Sequence, residues 1–166
     1  MKVIGLVGYA RAGKTSVARY LESRGFHRIT LSDLLREEAS RRGMQDDRPT
    51  LQRLGDELRQ SRGGGYLIAI ALSRAEAARA ACVVIDGVRN PDEIAAIKAH
   101  PSAVILAVDR PGELAKDAAA LRERAPSEPP WGQRVAESLG HADITIRNDR
   151  GLEDLYAAVD RELTRK

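Results

Sequence analysis

The fold is decided by one stretch near the start of the chain, Gly8-Tyr9-Ala10-Arg11-Ala12-Gly13-Lys14-Thr15. It matches the phosphate-binding loop pattern G-x-x-x-x-G-K-[ST] over its full length. An apolar run at 3–7 leads into the loop, and a helix-like stretch at 16–21 follows it. The alternative, a chance glycine-rich turn, would have to share this strand-loop-helix context. The sequence therefore predicts a phosphate-binding site.

Each residue type in this loop has a physical role. Gly8 and Gly13 permit backbone angles that a Cβ would forbid, so the N–H groups of the loop can converge on one anion. The helix that follows points its positive dipole end at that anion. Lys14 can reach the β and γ phosphates of a nucleoside triphosphate, and the Thr15 hydroxyl suits Mg2+. The predicted phosphate-site residues are Gly8, Ala10, Arg11, Ala12, Gly13, Lys14, Thr15 and Ser16.

Length and composition are those of a globular protein. The 166 residues fit one domain, 1–166, with an apolar fraction of 43% and a charged fraction of 31%. No apolar run is long enough to span a bilayer, and no secretory segment stands at the N-terminus. We therefore expect a cytoplasmic location and no membrane partner.

The net charge and the supply of possible metal ligands limit which partners and metals are expected. The net charge of +3 is too small to establish nucleic-acid binding, and an aromatic fraction of 4% argues against base stacking. Cys82 is the only cysteine, so neither a disulfide nor a thiolate metal cluster is expected, and a core position is predicted for it. The three histidines are scattered without ligand spacing. The expected metal is Mg2+ held by oxygens.

Apolar strand-like runs recur along the chain, with helical periodicity between them. This alternation predicts a parallel sheet covered by helices on both faces, the doubly wound α/β architecture. Ligands in such sheets lie beyond the carboxyl ends of the strands. The predicted strands are 3–7, 27–30, 82–85, 104–108 and 144–146.

Two segments extend this plan. Between the strands at 27–30 and 82–85, helices are predicted at 33–42, 50–62 and 66–80, and we expect 33–80 to form a helical acceptor-binding insertion. Gly63-Gly64-Gly65 within it predicts either a flexible connection or a close backbone approach to ligand.

The second segment, 111–140, is predicted to be lid-like. A helical stretch at 113–124 precedes a proline-rich run that cannot continue a helix. Arg122 and Arg124 are candidate catalytic residues, because a lid guanidinium would neutralise charge on a transferring phosphoryl group. Arg134 and Arg110 are additional candidates. For each of these arginines a solvated surface role is an equally good interpretation.

Three acidic or basic residues follow the strands. Asp86 directly follows the strand at 82–85 and can organise Mg2+ directly or through water, the alternative being a helix cap or turn residue. Asp33 and Arg36 lie on one face of the helix predicted at 33–42, which follows the strand at 27–30. Asp33 can accept a proton or bind a sugar hydroxyl, and Arg36 can clamp a phosphate or carboxylate. The alternative is an N-cap at Ser32 or Asp33 and a surface charge at Arg36.

These segments, taken in order, give the chain a resemblance to the P-loop nucleoside monophosphate kinase superfamily. It is similar to adenylate-kinase-like and dephospho-coenzyme-A-kinase-like proteins and to phage deoxynucleoside monophosphate kinases. The resemblance implies the strand order 2-3-1-4-5 and ATP as phosphate donor. The residues that carry it are the phosphate loop, 31–38, 84–89 and 142–149.

Site roles follow from this resemblance position by position. It implies that Gly8, Gly13, Lys14, Thr15 and Ser16 bind the ATP phosphates and that Asp86 is the magnesium-associated carboxylate. It assigns Asp33, Arg36 and Arg89 to the acceptor side, and it places the Asn148 turn beside the adenine. From the residues alone, a turn with no ligand contact is an equally good interpretation of 143–151.

The leading hypothesis is an Mg2+-dependent transfer of the γ-phosphoryl of ATP to a nucleotide or nucleoside-like acceptor, with a (deoxy)nucleoside monophosphate favoured. A kinase for a hydroxyl acceptor is the first alternative, with dephospho-coenzyme A or a hydroxymethylated base in phage DNA as substrate and Asp33 as base. Nucleic acid is thus an open acceptor. The second alternative is an ATP-binding regulator without transfer activity. A GTPase is disfavoured, because the chain lacks an Asn-Lys-x-Asp signature.

Overall fold

Five strands and seven helices make up the described part of the chain. The computed structural model describes residues 1–111 and 131–164. The strands are β1 (Lys2–Val7), β2 (His27–Thr30), β3 (Cys82–Asp86), β4 (Ala103–Asp109) and β5 (Ile144–Arg147). The helices are α1 (Lys14–Ser23), α2 (Leu31–Arg41), α3 (Arg48–Arg62), α4 (Tyr66–Ala77), α5 (Pro91–Lys98), α6 (Trp131–Gly140) and α7 (Leu152–Thr164).

The strands form one parallel sheet in the order β2-β3-β1-β4-β5, which confirms the predicted fold class and strand order. Strand β1 is central and pairs with β3 on one side and β4 on the other. The register sets Leu6 beside Asp86 and Val7 beside Ala107. The loop that leaves β1 therefore begins between the carboxyl ends of β3 and β4, where ligands bind in such sheets.

Alternating side chains of the strands build a core on each face of the sheet. Val3 and Val7 of β1 point to one core, whereas Ile4 and Leu6 point to the other. Helices α2 to α6 cover the first face, and α1 and α7 cover the second. Because both faces are covered, the central strands read as continuous apolar runs in the sequence.

Helix α2 begins two residues earlier than predicted, at Leu31. Thr30 occupies the N-cap position and makes no side-chain cap hydrogen bond. The interpretation of Ser32 or Asp33 as N-cap is therefore wrong, because both residues lie inside the first turn.

The helices between β2 and β3 share the main core with the sheet. Leu34, Leu54 and Leu67 belong to the same buried cluster as Ile85 of β3. This packing fixes the inserted helices against one face of the sheet.

Two glycines of the triplet between α3 and α4 are explained by packing that the sequence did not reveal. A Cβ at Gly64 would lie 2.3 Å from the Asp92 Oδ2 atom, and a Cβ at Gly65 would lie 2.8 Å from the Ala96 Cβ atom. The close backbone approach is thus to helix α5, and neither predicted explanation includes it.

The end of the predicted lid-like segment is helical. Ser138 of α6 is buried, and Leu139 packs against the main core. Residues 112–130 lie outside the described part of the chain, so the lid-like region stays a prediction. Cys82 is only half-buried, which corrects the predicted core position. Among the described helices, none has the length and apolarity needed to cross a membrane.

Candidate functional site

The loop 8–15 needs its glycines for two physical reasons. Gly8 and Gly13 have φ angles of 149° and 111°, which residues with a side chain rarely adopt. A Cβ at Gly8 would also lie 2.4 Å from the carbonyl oxygen of Val108, and one at Gly13 would lie 2.6 Å from Nδ2 of Asn148. Arg11 takes a left-handed φ of 62° between them. The loop is therefore a tight cradle that alanine substitutions would deform.

Lys14 is the first residue of α1 and reaches across this cradle. Its Nζ atom donates hydrogen bonds to the carbonyl oxygens of Gly8 at 2.8 Å and Tyr9 at 2.6 Å. Helix α1 has no side-chain cap at Gly13 and no acidic residue in its first turn. The positive end of the helix and the ammonium group thus point to one place, which is the electrostatic requirement for binding an anion.

The two residues predicted to hold a metal ion, Thr15 and Asp86, contact each other in the structure. Thr15 Oγ1 donates a 3.0 Å hydrogen bond to Asp86 Oδ2. Thr15 is exposed, whereas Asp86 ends β3 and is 4% exposed. A hydroxyl and a carboxylate are hard oxygen ligands of the type that Mg2+ prefers. No group of three His, Cys, Asp or Glu residues suited to a metal ion occurs in 1–111 or 131–164. A cation here would therefore take its other ligands from phosphates and waters.

The alternative role of Asp86 as a helix cap does not hold. Asn90 is the N-cap of α5, and its side chain accepts a 2.8 Å hydrogen bond from the backbone N–H of Glu93. Gly87, with a φ of 97°, makes the turn after β3. The Asp86 carboxylate is left to face the phosphate loop.

Asp33 and Arg36 share a face of α2, as their spacing predicts. Arg36 Nη1 donates to Asp33 Oδ1 at 2.7 Å, and Arg36 Nε lies 3.3 Å from Asp46 Oδ1. Both the Asp33 and Arg36 side chains are about half exposed, at 55% and 48%. Two carboxylates therefore balance the Arg36 charge in this structure.

Arg89 lies three residues beyond Asp86 and is accessible to solvent. Enough protein surrounds its guanidinium that desolvation lowers its pKa, and the positive charges of Arg48 and Arg59 lower that pKa further. The negative charges of Glu93 and Asp86 oppose this shift, because they raise the pKa of Arg89. The predicted acceptor side thus contains more arginines than Arg36 and Arg89, the two that the sequence indicates.

Glu93 organises this region from a buried position. It is 0% exposed, and its Oε1 atom accepts hydrogen bonds from Arg59 Nε at 3.0 Å and Nη2 at 2.9 Å. Its Oε2 atom accepts a 2.8 Å bond from the backbone N–H of Arg89. Nothing in the sequence indicates this ion pair, because its partners lie 34 positions apart on separate helices.

The turn after β5 contacts the phosphate loop. Asn148 Nδ2 donates a 2.8 Å hydrogen bond to the carbonyl oxygen of Ala12, and the Asn148 backbone N–H donates a 2.7 Å bond to the backbone carbonyl oxygen of Asp109. An open depression of about 440 Å³ lies beside this turn. The adenine contact predicted for Asn148 stays a prediction. The depression is lined by Arg110, Pro111, Asn148, Asp149, Gly151 and Leu152.

Not every predicted residue can be placed. Arg122 and Arg124 lie outside the described residues, so their catalytic role stays a prediction. Ala10 lies in the loop and Ser16 in the first turn of α1, as expected from the motif.

The chain is similar over its length to archaeal proteins. It is 28% identical to a UPF0200/UPF0201 protein of Archaeoglobus fulgidus, with 96% of this chain matched and about half, 54%, of the relative. It is 26% identical to a UPF0200 protein of Methanoculleus marisnigri, and the match covers 99% of this chain and 97% of that relative. No family model matches the chain.

Solved structures share the fold. TT1252 from Thermus thermophilus is 19% identical with a TM-score of 0.66, covering 99% of this chain and 97% of that one. A dephospho-CoA kinase from Campylobacter jejuni is 12% identical with a TM-score of 0.56, covering 99% and 96%. A shikimate kinase from Aquifex aeolicus is 14% identical with a TM-score of 0.54, covering 98% and 96%. The chain therefore has the fold of the P-loop kinases.

Proposed function

We propose that this protein is an Mg2+-dependent phosphotransferase that moves the γ-phosphoryl group of ATP to a nucleotide or nucleoside-like acceptor, with a (deoxy)nucleoside monophosphate as the favoured acceptor. The observation that carries the proposal is the 3.0 Å contact between Thr15 Oγ1 and Asp86 Oδ2 beside the phosphate loop. It joins the triphosphate cradle to a carboxylate at the end of the neighbouring strand. Phosphoryl transfer from a metal-bound nucleotide uses a phosphate-binding loop together with a carboxylate that organises the metal ion.

The residues fit ATP and Mg2+ by their chemistry. The glycine cradle and Lys14 would bind the phosphates, and Thr15 and Asp86 would hold the cation directly or through water. Bound Mg2+ would neutralise charge on the transferring phosphoryl group. In phosphoryl transfer the protein itself forms few covalent bonds, so the chain needs only to bind and orient the two substrates.

A phosphate acceptor agrees with the arginines around the end of β3. The second pKa of a phosphate monoester is about 6, so the acceptor is largely ionised at neutral pH and needs no general base. Arg89 stands three residues beyond Asp86, in the turn between β3 and α5, and can bind such an anion. Asp33 then has only to orient the acceptor.

A hydroxyl acceptor is the second candidate, because the structural neighbours named above act on dephospho-CoA and shikimate. A hydroxyl group has to lose its proton, and Asp33 at the start of α2 would accept it. Asp33→Asn separates the candidates. It abolishes transfer and preserves ATP binding for a hydroxyl acceptor, but has a mild effect for a monophosphate acceptor.

The proposal is tested by incubating the purified protein with ATP and Mg2+ and identifying the phosphorylated product. The acceptor panel consists of nucleoside monophosphates, dephospho-coenzyme A and DNA that contains hydroxymethylated pyrimidine. A phosphorylated nucleoside monophosphate supports the favoured acceptor, and product from either of the others supports the second candidate. ATP binding with no acceptor-dependent ADP release from any member of the panel would contradict both.

A further inference from the structure

The Thr30 hydroxyl does not cap the helix that it precedes. Thr30 is the N-cap residue of α2, where a threonine ordinarily accepts from a backbone N–H of the first turn, yet its side chain makes no such bond. Its oxygen instead accepts a 3.1 Å hydrogen bond from Nη1 of Arg28, two residues earlier on β2. A hydroxyl has two lone pairs and one proton to donate. Arg28 uses one lone pair, and among the described residues no acceptor takes the proton.

The two side chains of this bond point to the face of the sheet that α1 covers. Ile29, which separates them along β2, belongs to the main core on the opposite face. Nε of Arg28 donates a 2.9 Å hydrogen bond to Glu22 of α1, which confirms the direction. The Asp86 carboxylate is on this face as well, because it accepts from Thr15 of α1.

Strand pairing sets Thr30 beside the carboxylate of the cation site. In the register of β2 and β3, Thr30 is the direct partner of Asp86. Within the described residues, no direct hydrogen bond joins these two side chains, although the strands are only about 4.8 Å apart. Polar groups placed in this way are commonly bridged by water. The oxygens of Thr15, Asp86 and Thr30 are thus gathered at the carboxyl edge of the sheet, on the α1 face.

The charge of Arg28 is balanced within the protein. A lone guanidinium next to Thr30 would repel a cation at Asp86. Nε of Arg28 lies 2.9 Å from Oε2 of Glu22, and the Arg28 side chain is 27% exposed. This ion pair offsets the repulsion and holds the guanidinium against α1. Arg28 can therefore fix the Thr30 hydroxyl without bringing an unbalanced positive charge to the site.

We propose that Thr30 is a further residue of the cation site, where its hydroxyl binds a water of the Mg2+ shell, and that Arg28 is the positioning residue that fixes this hydroxyl. The inference rests on the proposed function and deepens it, because it adds a third oxygen to those of Thr15 and Asp86. Mg2+ usually keeps several waters when it binds to protein, and the groups that hold such outer ligands tune the affinity for the metal.

The test compares Thr30→Val, which keeps the shape of the side chain and removes the hydroxyl, with Thr30→Ser, which keeps the hydroxyl. Thr145→Val, at an exposed position of β5 on the other edge of the sheet, is the matched control. Calorimetry measures the affinity for AMP-PNP, an ATP analogue that resists hydrolysis, in EDTA and over a range of Mg2+ concentrations. Electron paramagnetic resonance of Mn2+ measures metal binding to the complex with the analogue.

Thr30→Val is expected to raise the Mg2+ concentration for half-maximal tightening of AMP-PNP binding by about tenfold, and to weaken Mn2+ binding by about the same factor. Affinity in EDTA should change by less than about twofold, because the phosphate loop is untouched. Thr30→Ser should stay within about threefold of the wild type, and Thr145→Val within about twofold. An equal loss of affinity with and without metal would show a purely structural effect and overturn the cation role.

Arg28→Met tests the positioning role, with Arg161→Met at an exposed position of α7 as control. The variant removes the donor but keeps the Thr30 hydroxyl, so we expect a smaller rise in the Mg2+ requirement, of about threefold. Combined with Thr30→Val it should add little, since both changes act through one hydroxyl. Additive effects, or a Mg2+ requirement equal to that of Arg161→Met, would overturn the positioning role.

The outcomes separate this inference from the proposed function. A Mg2+ requirement in Thr30→Val that equals that of Thr145→Val overturns the inference, even where the wild type phosphorylates an acceptor. Wild-type protein whose AMP-PNP binding does not respond to Mg2+ also overturns it, and the product assay then decides the transferase separately. A Mg2+ effect that depends on Thr30, with no phosphorylated product from any acceptor, supports the cation site and refutes the transferase.

Discussion

Thr15 and Asp86 are 71 positions apart in the chain, yet the Thr15 hydroxyl donates a 3.0 Å hydrogen bond to the Asp86 carboxylate. The contact exists because β1 and β3 are neighbours in register, with Leu6 beside Asp86. Parallel pairing brings the carboxyl ends of both strands to one edge of the sheet. A loop that binds phosphate and a carboxylate that can organise a cation are thereby placed side by side.

Asp86→Asn tests the role of this carboxylate. The substitution keeps the shape and a hydrogen-bond acceptor for Thr15 but removes the negative charge, so we expect phosphoryl transfer to fall by about a hundredfold or more. Steady-state assays over a range of Mg2+ concentrations measure the effect, which should include a higher Mg2+ requirement. Asp154→Asn, on the exposed start of α7, is the matched control. Unchanged transfer in Asp86→Asn would remove Asp86 from the metal site.

Asn148→Ala tests whether the turn after β5 supports the phosphate loop. It deletes the 2.8 Å bond to the Ala12 carbonyl, and Ala12 is 0% exposed. A buried carbonyl without a donor costs about 1–3 kcal/mol of unfolding free energy. Urea unfolding should show this loss, and calorimetry should show weaker ATP binding, whereas Arg150→Ala in the same turn should change neither. Equal stability of the two variants would argue against the supporting role.

Arg59 and Glu93 form a buried ion pair whose coupling can be measured. Arg59→Met leaves the fully buried Glu93 carboxylate without its cation, and we expect a loss of about 3–5 kcal/mol in unfolding free energy. Arg59→Met combined with Glu93→Gln should be less destabilised than the sum of the single variants, because both charges are then removed. Additive effects in a urea-based double-mutant cycle would show that the two side chains act independently.

The Glu38 carboxyl group makes the folding stability of the protein depend on pH. The Arg42 side chain donates to its carboxylate, as does Arg41, and the pKa of Glu38 is lowered. A lowered folded-state pKa means stability that is present above the unfolded pKa of about 4.3 and is lost as the pH falls through the folded value. Glu38→Gln should therefore lose less stability than the wild type on acidification below about pH 4.5. The effect is small, since exposed ion pairs contribute about 0–1 kcal/mol.

Thermal unfolding from pH 7 to pH 3 checks this prediction. Glu153→Gln, at the exposed start of α7, is the control and should follow the wild type. A steeper acid loss in Glu38→Gln than in the wild type would contradict the sign of the shift.

The sequence predicted the centre of the sheet well because β1, β3 and β4 are buried on both faces. Strand β2 was predicted with its observed bounds, and the loop motif fixed β1 and α1. The helix start at Leu31 was missed, because Thr30 ends β2 and leads directly into α2 without a capping hydrogen bond. A capping signal at Ser32 or Asp33 therefore misled the prediction by two residues.

The site was predictable where it follows a local motif and not where it depends on tertiary packing. Lys14, Thr15 and Asp86 stand at strand ends or in the loop, which sequence patterns locate. The Arg59–Glu93 pair and the packing of Gly64 against Asp92 join separate helices, and no local spacing encodes them.

The central claim is that the loop 8–15 binds the triphosphate of ATP with Mg2+, and the most direct measurement is calorimetry of ATP with Mg2+ on wild-type protein and Lys14→Ala. The Lys14 ammonium lies 2.8 Å from the Gly8 carbonyl oxygen, within the loop itself. We predict saturable binding to the wild type and a loss of about tenfold or more in affinity for Lys14→Ala. No heat of binding with the wild type, or equal affinity in the two proteins, would contradict the account.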